Sequence, residues 1–405
     1  MNFIITILLC LFQLSFQPLI ASKTTYIFKK NALLEVEMPT IAYFISDHGL
    51  GHASRSVAII RELLECDLEI SINVHTSNPL NFVKKSLAIH NESKRVDFHK
   101  QMNDMGFIYD QNTRKIDYQQ TVSEIHTWIN DWDCNYLFNE YRYLKAREID
   151  LIVSDIAPQP FLLAKKLKIP SIAISNFTWY DTYQNLDINL DDLETLWRAY
   201  REASLGLMLP FNLENMVFQS IFETSLVSRN PMRSKAHMYD LLAIEPSKEV
   251  IYAGTGISID NPFLQEWIEE PNTVFILGSQ SKIRGENVRS VPSNDTEGQD
   301  YIACSDIALI KLGYSSISEA IRSHVPIIGI DFVQTAETKE MVRKIQELGI
   351  GICISTEEYY RGKWLEYIPD VLDMQQNFSH LPDRFHKRGE LEITNILLDL
   401  LEEII

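Results

Sequence analysis

The sequence predicts an α/β protein of two doubly wound, Rossmann-like domains facing each other across a cleft. Three observations predict it. Short apolar runs alternate with amphipathic segments along most of the 405 residues, and several runs are continuous, as strands buried on both faces must be. The chain is longer than one ordinary hydrophobic core accommodates. The rhythm breaks once, between roughly Asn185 and Ser247, and then resumes with a new strand.

Residues 1–37 are read as a leader or an upstream extension of the start. Ile4 to Phe12 is apolar and "PLIAS" resembles a small-residue cleavage site, but no Lys or Arg precedes the run. Gln13 and Gln17 interrupt it, and it is too short to span a bilayer. A product starting at Met38 would be cytoplasmic, and one starting near Lys23 would be secreted. The N-terminal domain is expected over 38–235, with strands at 40–46, 68–75, 149–155 and 171–176. The stretch 185–247, with Trp197, Tyr200, Met208 and Pro210, reads as helices and loops. The C-terminal domain is expected over 236–405, with strands at 250–254, 273–278, 307–311, 326–330 and 350–355. Its last segment, 390–405, reads as an amphipathic helix with Leu391, Ile393, Ile396, Leu397, Leu400, Leu401 and Ile404 apolar, and it is a candidate for packing back on the first domain.

A net charge of −18 opposes nucleic-acid binding, which needs a basic face. The five cysteines form no CxxC pair and suit buried positions in a reducing compartment. Beyond residue 37, no stretch is apolar enough to cross a membrane.

In open α/β sheets ligands meet the carboxyl ends of the strands, so the loops there carry the chemistry. "SDHGLGHASRS", Ser46 to Ser56, follows the first strand. Gly49 and Gly51 let backbone approach a ligand. The helix expected from about Ala53 to Cys66 points its N-terminus at the same place, with Val57, Ile60, Leu63 and Leu64 inward and Arg55, Arg61, Glu62 and Glu65 outward. His48 and His52 would share a metal only on one helical face, which the glycines disfavour, so no metal is expected. They suit a base or a phosphate contact, against the alternative of structural hydrogen bonding.

"KLGYSSISEA", Lys311 to Ala320, follows another strand. Gly313 permits a tight turn, Ser315 or Ser316 can cap the next helix, and Ser316 with Glu319 forms a capping box in sequence. Exposed amides at such a helix start suit a phosphate, although a cap alone would also explain the pattern. "YAGTGIS" contributes Gly254, Thr255 and Gly256 in a similar loop without the Gly-Lys-Ser/Thr of an ATP-hydrolysing loop. "DWD", Asp131 to Asp133, lies in a helical stretch and reads as a solvated helix or turn. Asp155 either binds a substrate hydroxyl or caps a turn. Trp179 and Tyr180 either stack on a sugar or pack against the interdomain wall.

Together these residues resemble GT-B glycosyltransferases of the family 28-like kind. "GYSSISEA" resembles their GxxTxxEA element, with Ser315 for a glycine and Ser316 for threonine. "DHGLGHASRS", "IDLIVSDIAPQP", "SIAISNFTWYDTY", "YIACSDIALIKLGYSSISEAIRSHVPIIGI" and "RGKWLEYI" resemble, in order, the glycosyltransferase-like half of the arabinokinase family. The kinase half is absent, so sugar phosphorylation is not implied. "DFVQTAET" lacks the HQ or DQ of many nucleotide-sugar sites.

The resemblance implies the GT-B fold and a metal-independent hexosyltransferase needing no cofactor. Its partners would be a nucleotide-sugar donor, by preference a uridine diphosphate sugar, and a small-molecule, glycan or lipid acceptor. By the same resemblance Gly254, Thr255, Gly256, Gly313, Tyr314, Ser315 and Ser316 would hold the donor's pyrophosphate, and Glu319 its ribose. The acceptor would dock near Asp155 and Asn176. His52 would be the base, with His48 in reserve. A nucleotide-sugar epimerase or hydrolase, and a non-catalytic binding protein, stay open.

Overall fold

The computed structural model describes residues 38–404 except 67–68, 92–93, 111–115, 215–216, 256–271 and 280. The leader reading, Cys10 and Gly256 therefore lie outside the described residues.

The first sheet contains β1 (Thr40–Ile45), β2 (Ser71–Thr76), β3 (Val96–Lys100), β4 (Leu151–Asp155), β5 (Ser171–Ser175), β6 (Leu205–Met208) and β7 (Ile221–Glu223). Their order is β3-β2-β1-β4-β5-β6-β7, all parallel. Its helices include α1 (Leu50–Glu65), α2 (Leu80–Leu87), α3 (Tyr118–Asp131), α4 (Leu137–Lys145), α5 (Gln159–Leu167), α6 (Trp179–Tyr183) and α7 (Leu190–Arg201). The second sheet contains β8 (Glu249–Gly254), β9 (Thr273–Leu277), β10 (Val288–Ser290), β11 (Ile307–Lys311), β12 (Ile327–Asp331) and β13 (Gly351–Ser355), in the order β10-β9-β8-β11-β12-β13. Around it lie α8 (Lys235–Leu242), α9 (Gly298–Ala303), α10 (Tyr314–Arg322), α11 (Ala336–Leu348), α12 (Thr356–Tyr360), α13 (Ile368–Asp373), α14 (Asp383–His386) and α15 (Gly389–Ile404). Both sheets reverse direction beside their first strand, at β1/β4 and at β8/β11, and ligand crevices open at such switch points.

The central strands are buried on both faces, which is why they read as continuous apolar runs. The stretch 185–247 is corrected by the structure: it holds β6 and β7 as well as helices. Gly206 interrupts the strand signal in β6, because Phe218 packs where its Cβ would be, 2.7 Å away. β3, β7 and β10 are sheet edges, short and partly polar, as edges that resist pairing with other chains are.

The outward assignment of Arg55 and Arg61 is also corrected. Both are buried, because α1 is flanked by α10 and α15 and is covered on nearly every side. Arg61 forms a two-pronged ion pair with Glu297 at 2.7 and 2.9 Å, joining the two domains. Arg388, just before α15, pairs with Glu62 of α1, while Ile393, Leu397, Leu400 and Leu401 of α15 are buried. No helix of the described residues is long and apolar enough to cross a membrane.

Candidate active site

A cleft of about 720 Å³ lies between the two sheets. It is lined by the loops after β1 and β5 on one side and by those after β8, β11 and β12 on the other.

The first loop enters α1 earlier than expected. The helix begins at Leu50, so Gly51 and His52 belong to its first turn, and Gly49, at φ 81°, is its cap. That backbone region favours glycine. His48 therefore stays outside the helix, and the two histidines diverge. The His48 ring packs against Phe107, Tyr109 and Trp179. Burial, and then the nearby His52 and Lys311, push its pKa down to about 3. Gly106, at φ 66°, makes room for it, since a Cβ there would sit 2.0 Å from His48 Nδ1.

His52 faces Asp155 at the end of β4. Its Nδ1 lies 2.8 Å from Asp155 Oδ1, and Arg55 Nη2 lies 2.9 Å from the same nitrogen. Arg55 Nη2 gives its proton to Asp155 Oδ1 at 2.6 Å rather than to this nitrogen, and two facing lone pairs at 2.8 Å would repel. The proton therefore sits on Nδ1 and points at the carboxylate, leaving Nε2 as the acceptor of the neutral ring. Asp155 also accepts from Arg55 Nε at 2.7 Å, Arg55 Nη2 at 2.6 Å and Ser56 Oγ at 3.1 Å. Burial alone would raise its pKa, but the Arg55 charge and the hydrogen bonds from Arg55 and His52 outweigh burial and hold it at about 2. Asp155 is fully buried with both oxygens engaged, so the reading in which it grips a substrate hydroxyl or caps a turn gives way to one in which it orients His52. Ile156, directly after it, has φ 55°, a strained conformation for a β-branched residue. Its carbonyl accepts from Tyr200 Oη at 2.6 Å.

Arg55 extends the network. It donates to Asn176 Oδ1 at 2.5 Å, and Asn176 Nδ2 donates to Glu337 Oε1 of α11 at 3.0 Å, which bridges the two domains. The guanidinium also lies 5.3 Å over the ring of Tyr314. Asn176 is thus a fully buried link rather than an open docking group.

On the opposite wall, Gly313 caps α10 and Tyr314 opens it. The expected serine caps are not formed. Ser315 Oγ instead donates to Gly51 O across the cleft at 2.6 Å, and Ser316 lines the cavity. The Ser316–Glu319 capping box is also absent, because Glu319 Oε1 accepts from Ser54 Oγ of α1 and from Arg229 Nε, each at 2.9 Å. Gly313 is extended, and a Cβ on it would meet nothing within 4 Å among the described residues, so no tight turn demands glycine there. It leaves open space above the helix N-terminus. Gly254 ends β8, where a Cβ would meet the Tyr252 ring at 2.4 Å, and the buried Thr255 follows it on the cleft wall. Lys311, at the end of β11, lines the cleft on this wall, as does Arg229.

Trp179 is buried in packing and donates from Nε1 to Asp104 at 2.9 Å, while Tyr180 packs half-buried against the same cluster. Asp131 of the DWD stretch is exposed on helix, where it accepts from Asn135. The sequence missed Arg55, Ser54, Gly106, Arg229 and Glu337. The only local signal was a serine-arginine pair on the third and fourth residues past Gly51, and burial of that pair depends on the second domain.

Residues 39–369 match the family described as Glycosyl transferase family 1. A curated relative, L-arabinokinase of Arabidopsis thaliana, is 22% identical over 345 residues, covering 82% of this chain and 32% of the relative. The chain therefore spans about a third of that protein's length. Among solved structures, the calicheamicin glycosyltransferase is 13% identical with a TM-score of 0.61, covering 91% of this chain and 99% of its own. A UDP-glucose:anthocyanidin 3-O-glucosyltransferase in complex with UDP is 12% identical with a TM-score of 0.59, covering 90% and 99%. Two parallel sheets meeting at a cleft, and a sequence match over most of the length, make this chain a member of glycosyl transferase family 1 with the GT-B fold.

Proposed function

We propose that the protein transfers a hexose-type sugar from a uridine diphosphate sugar to an acceptor hydroxyl, with His52 as the general base. The observation that carries this reading is the His52–Asp155 pair, set in the first turn of α1 and lining the cleft opposite the N-terminus of α10. An imidazole whose Nδ1–H is held by a carboxylate presents Nε2 to take a proton as the hydroxyl attacks the anomeric carbon. The bond from that carbon to the diphosphate breaks as the new glycosidic bond forms.

The diphosphate would lie over the amides at Gly313–Ser316, beside Lys311 and the loop at Gly254 and Thr255. The helix start and the lysine would then take up its growing charge in place of a metal ion. The open space at Gly313 supports that placement. Glu319 would accept a ribose hydroxyl, adding to its bonds from Ser54 and Arg229. The acceptor would enter past His48, Phe107 and Tyr109. A nucleotide-bound relative of the same fold supports the choice of uridine.

The test is UDP release from purified protein with UDP-sugars, with and without a panel of acceptors, in the presence of a chelator. His52→Ala should abolish turnover while keeping UDP binding. UDP release without acceptor would point to hydrolysis, and binding with no turnover would point to a non-catalytic protein. Unchanged UDP affinity in Glu319→Ala would refute the donor placement.

A further inference from the structure

Away from the cleft, one group of side chains occupies core positions without being core residues. His75 of β2 and His99 of β3 are register partners on neighbouring parallel strands, so both side chains leave the sheet on one face. Glu140 meets them from α4, where it stands on the buried stripe Tyr136, Glu140, Leu144. A carboxylate four residues from an apolar neighbour on each side is where such a helix places another apolar side chain. The helix reaches this phase through a π-helical segment, Trp132–Tyr136, in which Leu137 N–H bonds to Trp132 O. Such segments turn the following residues onto a new face and recur at functional sites.

The three side chains are held in place. The His75 ring stacks on Phe44 at 4.2 Å, and the His99 ring stacks on Tyr143 at 3.8 Å. His75 Nδ1 lies 3.0 Å from Glu140 Oε2, and His99 Nε2 lies 3.0 Å from Glu140 Oε1. All three ligand atoms fall within 4.8 Å of one another. A tetrahedral zinc ion with bonds of roughly 2.0–2.1 Å needs its ligands about 3.3 Å apart, so small movements would complete the geometry. Among the described residues His75 Nε2 is buried without a hydrogen-bond partner, so Nδ1, which faces Glu140, is the nitrogen placed to ligate. His75 and Glu140 are enclosed, while the His99 side chain is 25% exposed and gives a path to solvent.

We propose that His75 Nδ1, His99 Nε2 and a Glu140 oxygen bind one divalent transition-metal ion, zinc by its donor set, with a water from the His99 side as fourth ligand. Two imidazoles and a carboxylate suit zinc rather than magnesium or calcium. The ion would fasten α4 to the β2–β3 edge. It would also steady the loop that carries His48, because Tyr136 Oη donates to Asn103 Oδ1, and Asn103 binds Asp47, Ile45 O and His75 O. The inference is independent of the sugar-transfer reading.

The full chain, stripped with a chelator, is titrated with zinc against a chromophoric competitor and with cobalt by visible absorption. One ion per chain with the intense spectrum of tetrahedral cobalt is expected. Glu140→Gln and His99→Gln should each weaken binding by at least about 100-fold, beyond what loss of an outer hydrogen bond to a ligand causes. His52→Ala should bind as wild type. No stoichiometric uptake by the folded wild type would overturn the proposal, as would wild-type affinity in His99→Gln. Should Glu140→Gln fail to fold by circular dichroism, the variant at the partly exposed His99 decides alone.

Discussion

Replacing Asp155 by asparagine changes one charge and almost no volume at the residue on which the cleft network converges. The wild-type carboxylate accepts from His52, twice from Arg55 and once from Ser56, at 2.6–3.1 Å. The amide cannot accept on both ends, and it leaves the Arg55 guanidinium buried without a counter-charge. Stranding a buried partner costs about 3–5 kcal/mol. The same change removes the group that fixes the His52 proton on Nδ1, and misplacing the proton on such a pair costs roughly 10²–10⁴-fold in turnover. The pH dependence follows from the Asp155 pKa of about 2, below its ordinary value of 3.8. A lowered folded-state pKa adds stability that is complete above the unfolded value and lost as pH falls from about 4 toward 2. That contribution is about 2 kcal/mol in wild type and should vanish in the variant. The assays are urea unfolding at pH 7 and pH 3, and kcat with a UDP-sugar and a working acceptor. A variant as stable as wild type at pH 7, or one keeping more than about a tenth of kcat, would refute the reasoning.

Gly106→Ala should lower thermal stability by about 1–3 kcal/mol, since its Cβ would strike the His48 ring at a positive φ; an unshifted melting temperature would count against that packing. Tyr200→Phe removes a hydroxyl that donates to Ile156 O and accepts from Trp179 N at 3.0 Å, so denaturant unfolding should show a loss of about 1–3 kcal/mol. Arg61→Met and Glu297→Gln, singly and together, should give a coupling energy of about 1–3 kcal/mol in a double-mutant cycle, because the pair is two-pronged and mostly buried.

Much of both sheets was legible because buried parallel strands are apolar on both faces. The runs ending at Asp155, Gly254 and Lys311 appear in the sequence nearly as they appear in the fold. The edge strands β3, β7 and β10 were not, since an edge needs less apolar surface than a centre and its short polar pattern resembles a loop. At the site, the glycine-flanked histidines marked the right loop. The start of α1 was misjudged by three residues because Gly51 lowers helix propensity, which a tertiary contact from Ser315 to its carbonyl overrides.

The sequence by itself determined the α/β class, the strand-end loops and the family resemblance, because periodicity and local turn chemistry act over a few residues. Tertiary structure decided which face of α1 is outside. Arg55 and Arg61 carry the polar pattern of a solvated helix, yet Arg55 is buried against Asp155 of its own sheet and Arg61 pairs with Glu297 of the second domain. It also decided that Asp155 serves His52, that Glu319 meets Ser54, and that His75, His99 and Glu140 converge. These contacts join residues 24 to 265 positions apart, distances at which only the folded chain makes them neighbours.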